Sequence, residues 1–257
     1  MNRSAFLRLL ALCLLSTWSS PAAEVPRASA NVLFIGNSYT APVVPVFREF
    51  AKAKGKTGRI EAVIANGAQL RKHVEKGDAA RLIAEGGWHA VCLQEQSQTP
   101  SFPEAQVREE TDPAVRALRE AAKGKADALV MYEHWARRDG DRRNRADDTH
   151  AAQAARLQSS FDRLAREHKL RPAPVGRAWD RVMKDHPEIN LYQPDGSHPS
   201  PAGAYLAACV LYATVYGESP EGLPATKGVE AAAAAAIHSA VNEVRLASVP
   251  GSGRKAR

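Results

Sequence analysis

Apolar residues in this chain fall into short unbroken runs separated by longer stretches with helical spacing, and the two kinds alternate. Val32-Leu33-Phe34-Ile35 stops at Gly36. A run this short, ended by a turn, suits a strand buried on both faces of a parallel sheet. Further strands are expected over 59–65, ending at Asn66-Gly67, over Trp88–Leu93, and over 127–132. A fifth is expected over 173–175, where Pro174 confines it to a sheet edge. Between them, Thr40 is placed to cap a helix whose stripe is Val43, Val46, Phe47 and Phe50, with Pro42 and Pro45 in its tolerant first turns and Gly55 after its end. Other helices are expected over 69–86, 113–123, 147–168 and 177–184, from Pro201 behind a Ser200 cap, and over the Ala-rich 228–245. Strand and helix alternating about five times implies an α/β fold with parallel pairing and right-handed crossovers. No internal repeat interrupts the pattern.

Composition adds a boundary at each end. The chain has 257 residues, 44% of them hydrophobic, enough for one large domain with a sizeable core. Arg3 and Arg8 precede the apolar run Leu9 to Leu15, and Pro21-Ala22-Ala23 follows. This is the layout of a secretory signal cleaved near Ala22 or Ala23, and its apolar run is too short to span a bilayer. Lipoprotein processing at Cys13 is disfavoured by the bulky Leu12 before it. The expected organisation is a signal peptide over 1–23, a single domain over 24–247 and a disordered tail over 248–257, in an exported protein, periplasmic or extracellular. Cys92 and Cys209 lie in apolar runs and read as buried small hydrophobes, with their pairing left open. The formal charge of +7 becomes +5 without Arg3 and Arg8. The excess is scattered except over 137–145, where interleaved acids and the lack of aromatics suit a solvated loop better than a nucleic-acid site. An anionic substrate or a cell-surface polymer stays open for that stretch.

Candidate chemistry gathers where the strands end. Ser38 follows the first strand, on the edge where open α/β sheets bind ligands, and is a candidate nucleophile. Gly67, after the second strand, is free to bring backbone close to a ligand or merely to make the turn. Gln94-Glu95-Gln96-Ser97-Gln98 follows the third strand and places amide donors on that edge. His134 and Trp135 follow the fourth, to line a pocket or to cap the strand. Asp195 and His198 precede the helix at Pro201, and three residues of spacing let a turn bring the carboxylate to the imidazole, as a general base requires. The bland alternative is a loop acid and a capping histidine.

Gly36-Asn37-Ser38-Tyr39-Thr40, Gly67, the amide cluster and Asp195-x-x-His198-Pro199 together resemble, in order and rough spacing over about 31–217, the SGNH (GDSL-like) hydrolase superfamily. The resemblance implies a three-layer α/β/α sandwich on a flavodoxin-like parallel sheet of about five strands, and an esterase with no metal and no cofactor. Carried over, Ser38 is the nucleophile, His198 the base and Asp195 its orienter. The oxyanion hole would use the N–H groups of Ser38 and Gly67 and one amide side chain. Alignment by the strand end gives Gln96, and Gln94 is the alternative. Two features depart from the family: Gly-Asn-Ser replaces Gly-Asp-Ser, and the usual Gly-x-Asn-Asp block is missing. An ordinary α/β-hydrolase elbow fits less well, because Thr40 stands where its last glycine belongs. The function the resemblance implies is an exported serine esterase acting on a small-molecule or polysaccharide ester, with O-deacetylation of a carbohydrate expected first. The alternatives are a lipase or thioesterase for longer acyl chains, and an inactive carbohydrate-binding module. No nucleic-acid partner and no membrane segment in the mature chain are expected, and oligomeric state is open.

Overall fold

A computed structural model describes residues 29–247. The expected signal peptide and tail lie outside the described residues. Five strands form one sheet: β1 (Val32–Gly36), β2 (Ile60–Ile64), β3 (Trp88–Leu93), β4 (Ala126–Tyr132) and β5 (Arg171–Ala173). All neighbours are parallel and their order is β2-β1-β3-β4-β5. The helices, in chain order, are α1 (Val43–Ala53), α2 (Leu70–Lys76), α3 (Asp78–Ala84), α4 (Glu104–Glu110), α5 (Asp112–Ala122), α6 (His150–His168), α7 (Val175–Asp185), α8 (Pro201–Tyr216) and α9 (Ala231–Ala247).

Strand alternation divides the core in two. Val32 and Phe34 point into one cluster, with α1, α7, α8 and α9, whereas Leu33 and Ile35 point into the other, with α2, α3, α5 and α6. All four side chains are fully buried, which is why β1 reads as an unbroken apolar run. Helices therefore cover both faces, giving three α/β/α layers. α8 is apolar almost all round because α1, α7 and α9 enclose it. Ser200 caps it, accepting from Gly203 N–H at 3.1 Å, with Pro201 at its first position.

Several local expectations shift. Thr40 does not cap α1 with its side chain: Pro42 stands at the cap, and the Thr40 hydroxyl instead donates to Gln94 Oε1 at 2.9 Å. The stretch expected as one helix over 69–86 breaks at Gly77, which adopts φ of +76° and ends α2. Between the amide cluster and residue 113, where no element is expected, lie a 3₁₀ turn (Thr99–Ser101) and α4. β5 lies two residues earlier than expected, at the sheet edge with Pro172 in place of Pro174, while Pro174 stands at the cap of α7 and Val175 opens it. Cys92 and Cys209 are both buried and unpaired, and burial pushes both thiols up.

Candidate active site

β1 is next to the centre of the sheet, and its carboxyl end turns sharply. Asn37 C=O accepts from the N–H groups of Thr40 and Ala41 at 2.9 and 3.0 Å. Gly36 is required by crowding: a Cβ there would sit 2.4 Å from Thr40 Oγ1 and 2.8 Å from Gln94 Oε1. Buried Gln94 accepts from Asn37 N–H at 2.9 Å, and the Asn37 side chain donates to Ala68 C=O at 3.0 Å. These contacts hold the turn against the ends of β2 and β3. Ser38 is left half-buried at its apex.

The second loop is braced as firmly. Leu191 C=O accepts from Ser200 N–H at 2.9 Å, closing the loop at the start of α8. Asp195 Oδ1 accepts from the N–H groups of Ser197 and His198 at 2.9 and 3.0 Å, and its Oδ2 meets His198 Nδ1 at 2.5 Å. His198 Nε2 then lies 3.0 Å from Ser38 Oγ. Partial burial would raise the Asp195 pKa, but the His198 ring and the two backbone donors outweigh it and hold it down to about 2. The carboxylate is therefore charged wherever the imidazole works, and its bond to Nδ1 leaves Nε2 as acceptor for the serine proton.

Beside Ser38 Oγ, the backbone N–H groups of Ser38 and Gly67 have no hydrogen-bond partner among the described residues. Gly67 holds φ of +67° in the turn after β2. Gln96 uses its Oε1 to accept from the N–H groups of Gln98 and Thr99 at 2.7 and 3.1 Å. Its Nε2 has only a long 3.4 Å contact to Gln98 Oε1. Three donors thus border one cleft. Gln94 is different: its Oε1 is committed to Asn37 and Thr40, its Nε2 to Glu95 C=O, and it does not line the cleft.

The cleft has a volume of about 170 Å³ and is lined by Asn37, Ser38, Tyr39, Gly67, Gln96, Ser97, Gln98, Arg137, Arg143, Ser197 and His198. A larger cavity of about 700 Å³ beside α4 and α6 contains none of the residues around Ser38. Of the two alternatives for His134 and Trp135, pocket lining is not what the cleft shows, since neither lines it. They lie beneath it, because Tyr39 covers them: Trp135 stacks on Tyr39 at 4.6 Å and on Trp179 at 4.1 Å. His134 meets the Tyr39 ring edge-on at 5.6 Å, and burial pushes its pKa down to about 4. Trp135 Nε1 donates to Ser197 C=O at 3.0 Å, and Tyr39 and Ser197 share a hydroxyl hydrogen bond of 2.7 Å. This aromatic stack fixes the residue next to His198. No individual role for Tyr39, Ser197 or Arg137 is legible in the sequence, although Tyr39 and Ser197 adjoin motif residues and Arg137 opens the basic stretch over 137–145.

Among the described residues no group of three or more His, Cys, Asp or Glu side chains could hold a metal ion, and no helix is long and apolar enough to cross a membrane. A serine, a histidine held by a carboxylate and N–H donors without strong partners on the same cleft can support attack on a carbonyl carbon and stabilise the oxygen that becomes negative.

No protein-family model matches the sequence, and no curated protein matches it. Solved structures do. A DUF4886 family protein from Bacteroides uniformis superposes with a TM-score of 0.74 at 19% identity, over 85% of this chain and 95% of that one. A Slackia heliotrinireducens protein, provisionally described as an SGNH hydrolase, gives 0.58 at 28% identity over 72% of this chain and 98% of its own. A variant of an acetyl-xylooligosaccharide esterase from Geobacillus gives 0.51 at 15% identity over 72% and 94%.

Proposed function

We propose that this chain, an SGNH-type ester hydrolase by fold, is an exported serine esterase that removes short acyl groups, acetyl above all, from a carbohydrate. The observation that carries the reading is the continuous line from Asp195 through His198 to Ser38 Oγ, 2.5 and 3.0 Å long, beside three available N–H donors. Ser38 attacks the ester carbonyl as His198 takes its proton. The carbonyl oxygen, now negative, is met by the N–H groups of Ser38 and Gly67 and by Gln96 Nε2. His198 passes the proton to the departing alcohol, and water attacks the acyl-enzyme by the same route in reverse.

The cleft supports a short acyl group. Its 170 Å³ falls below the roughly 300–1,000 Å³ of pockets that enclose drug-sized ligands. Tyr39 and the His198 ring are its only rings, the rest of its wall is polar or glycine, and a long acyl chain would find no aliphatic side chain to pack against there. A polar rim suits an alcohol rich in hydroxyls, and the similarity to a xylooligosaccharide esterase fits a carbohydrate. Export rests on the amino-terminal pattern of Arg3, Arg8, the apolar run and Pro21-Ala22-Ala23.

A fluorophosphonate probe should label the protein and fail on Ser38→Ala. Turnover of 4-nitrophenyl esters should fall steeply from acetate to octanoate, and acetylated oligosaccharides should release acetate. Equal labelling of both proteins removes Ser38 from the mechanism, and faster turnover of octanoate removes the short-acyl reading.

A further inference from the structure

The wall of the cleft carries two positive charges that the steps above do not use. Arg137 is half-buried, and among the described residues it forms no ion pair. One guanidinium nitrogen, Nη2, donates to Ser97 Oγ at 3.3 Å, while Nε is buried without a partner. Its backbone is fixed: the N–H donates to Gln153 Oε1 at 2.9 Å and the C=O meets His150 Nδ1 at 3.0 Å. Arg143, exposed on the same wall, has neither a hydrogen bond nor an ion pair from its guanidinium among the described residues.

The neighbouring acids are already engaged. Asp195 holds His198, Asp139 pairs with Arg138, and Asp141 accepts from Gln98 Nε2 at 2.7 Å and Asn144 Nδ2 at 2.6 Å. Two guanidinium groups without counter-charges, one held in place and partly desolvated, make a binding site for an anion. Their position also says which part of the ester carries it. The arginine loop is tied to the histidine loop, with Arg138 N–H donating to Gly196 C=O at 2.8 Å. Since His198 in the proposed mechanism passes its proton to the leaving oxygen, this tie of the arginine loop to the histidine loop favours the alcohol portion as the part that carries the anion.

We propose that Arg137 and Arg143 form an anion subsite for the alcohol portion, so that the substrate is an O-acylated acidic saccharide, with a carboxylate or a sulfate ester on or next to the acylated sugar. This rests on the esterase reading, and it replaces an unspecified carbohydrate with a charged one.

The test compares the full chain on acetylated oligogalacturonate, an acetylated sulfated oligosaccharide and acetylated xylooligosaccharide of equal length, following acetate release. 4-Nitrophenyl acetate turnover and fluorophosphonate labelling of Ser38 run alongside. The expected result is a kcat/KM preference for one or both anionic substrates over xylooligosaccharide. That preference should shrink as salt rises, and drop roughly tenfold or more in Arg143→Gln and further in the Arg137→Gln Arg143→Gln pair, mostly through KM. The two anionic arms tell a carboxylate from a sulfate. Arg143 is exposed, so its variant keeps the test valid if Arg137→Gln folds poorly. An enzyme that labels at Ser38 and cleaves all three alike, or whose preference survives in the double variant, overturns the subsite and leaves the esterase standing. Failure of labelling and of every ester overturns the esterase itself.

Discussion

Gln94 and Gln96 lie two residues apart at the end of β3, yet they meet different partners. Gln94 Oε1 accepts from Asn37 N–H and from the Thr40 hydroxyl, so truncation leaves a buried N–H unsatisfied beneath the serine turn. Gln94→Ala should lower stability by roughly 1–3 kcal/mol, seen as a fall in Tm of about 2–4 °C for each kcal/mol. Gln96 keeps its Nε2 at the cleft, so Gln96→Ala should lower kcat about a hundredfold with KM little changed. A large kcat loss at Gln94 with unchanged Tm would reverse the two roles, and wild-type kcat in Gln96→Ala would leave the hole to backbone N–H groups alone. His198→Ala should cost more than Asp195→Ala, roughly a million-fold against ten-thousand-fold in comparable triads, because a lost proton acceptor is harder to replace than a lost orienting bond. Steady-state kcat of the two variants decides this.

At the scale of elements, the strand ends act on the helices that follow. Neither α2 nor α7 has a side-chain cap of its own. Glu95, just past β3, accepts from Leu70 N–H at the first position of α2 at 3.1 Å, and from Thr111 Oγ1 before α5 at 3.1 Å. Glu133, just past β4, accepts from Arg177 N–H in the first turn of α7 at 3.2 Å. Each carboxyl thus caps a neighbouring helix across the sheet edge. Burial pushes Glu133 up to about 8, with Arg177 opposing, and Glu95 up to about 7, with its N–H donors opposing. The folded state therefore holds these protons more tightly than the unfolded chain, whose glutamates titrate at about 4.3. Their contribution is complete below that value and is lost as pH rises through about 8. Tm should decline between pH 5 and 9, and Glu133→Gln, which keeps an acceptor for Arg177 N–H, should flatten that decline. An unchanged slope in the variant would assign it elsewhere.

These caps also explain what was legible in the sequence. β1 and β3 are buried on both faces, as is the carboxyl end of β4, so their apolar runs mark them directly, and Ser38, Asp195 and His198 stand at turns with glycine and proline signals. α4 was hidden because it buries little beyond Val107 and has no apolar stripe to read. The break at Gly77 was visible as a glycine, but both flanking segments have helical composition. For His134 and Trp135 the sequence leaves pocket lining and strand capping both open, since it places them at the strand end without revealing that Tyr39 covers them. The partners of Arg137 belong to 97 and to α6, and no spacing along the chain announces them.

For the molecule as a whole, Ser38 follows the first strand and His198 lies in the loop before α8, 160 residues apart in sequence. The two meet only after the sheet has assembled in its order β2-β1-β3-β4-β5 and α8 has packed between α1, α7 and α9. In the folded protein they face one another at an effective concentration of the kind that reaches about 10⁵–10⁸ M in well-oriented intramolecular reactions. In an unfolded chain two groups joined by so long a flexible segment see each other at millimolar or less. Catalytic power is therefore held in common by the whole domain and cannot reside in a fragment of it. Loss of ester turnover in urea should coincide with the loss of tryptophan fluorescence from the buried Trp88, Trp135 and Trp179. Turnover that fades at lower urea than the fluorescence change would mean that the Asp195–His198 loop can leave its place while the sheet stays folded, making that loop a separately melting unit.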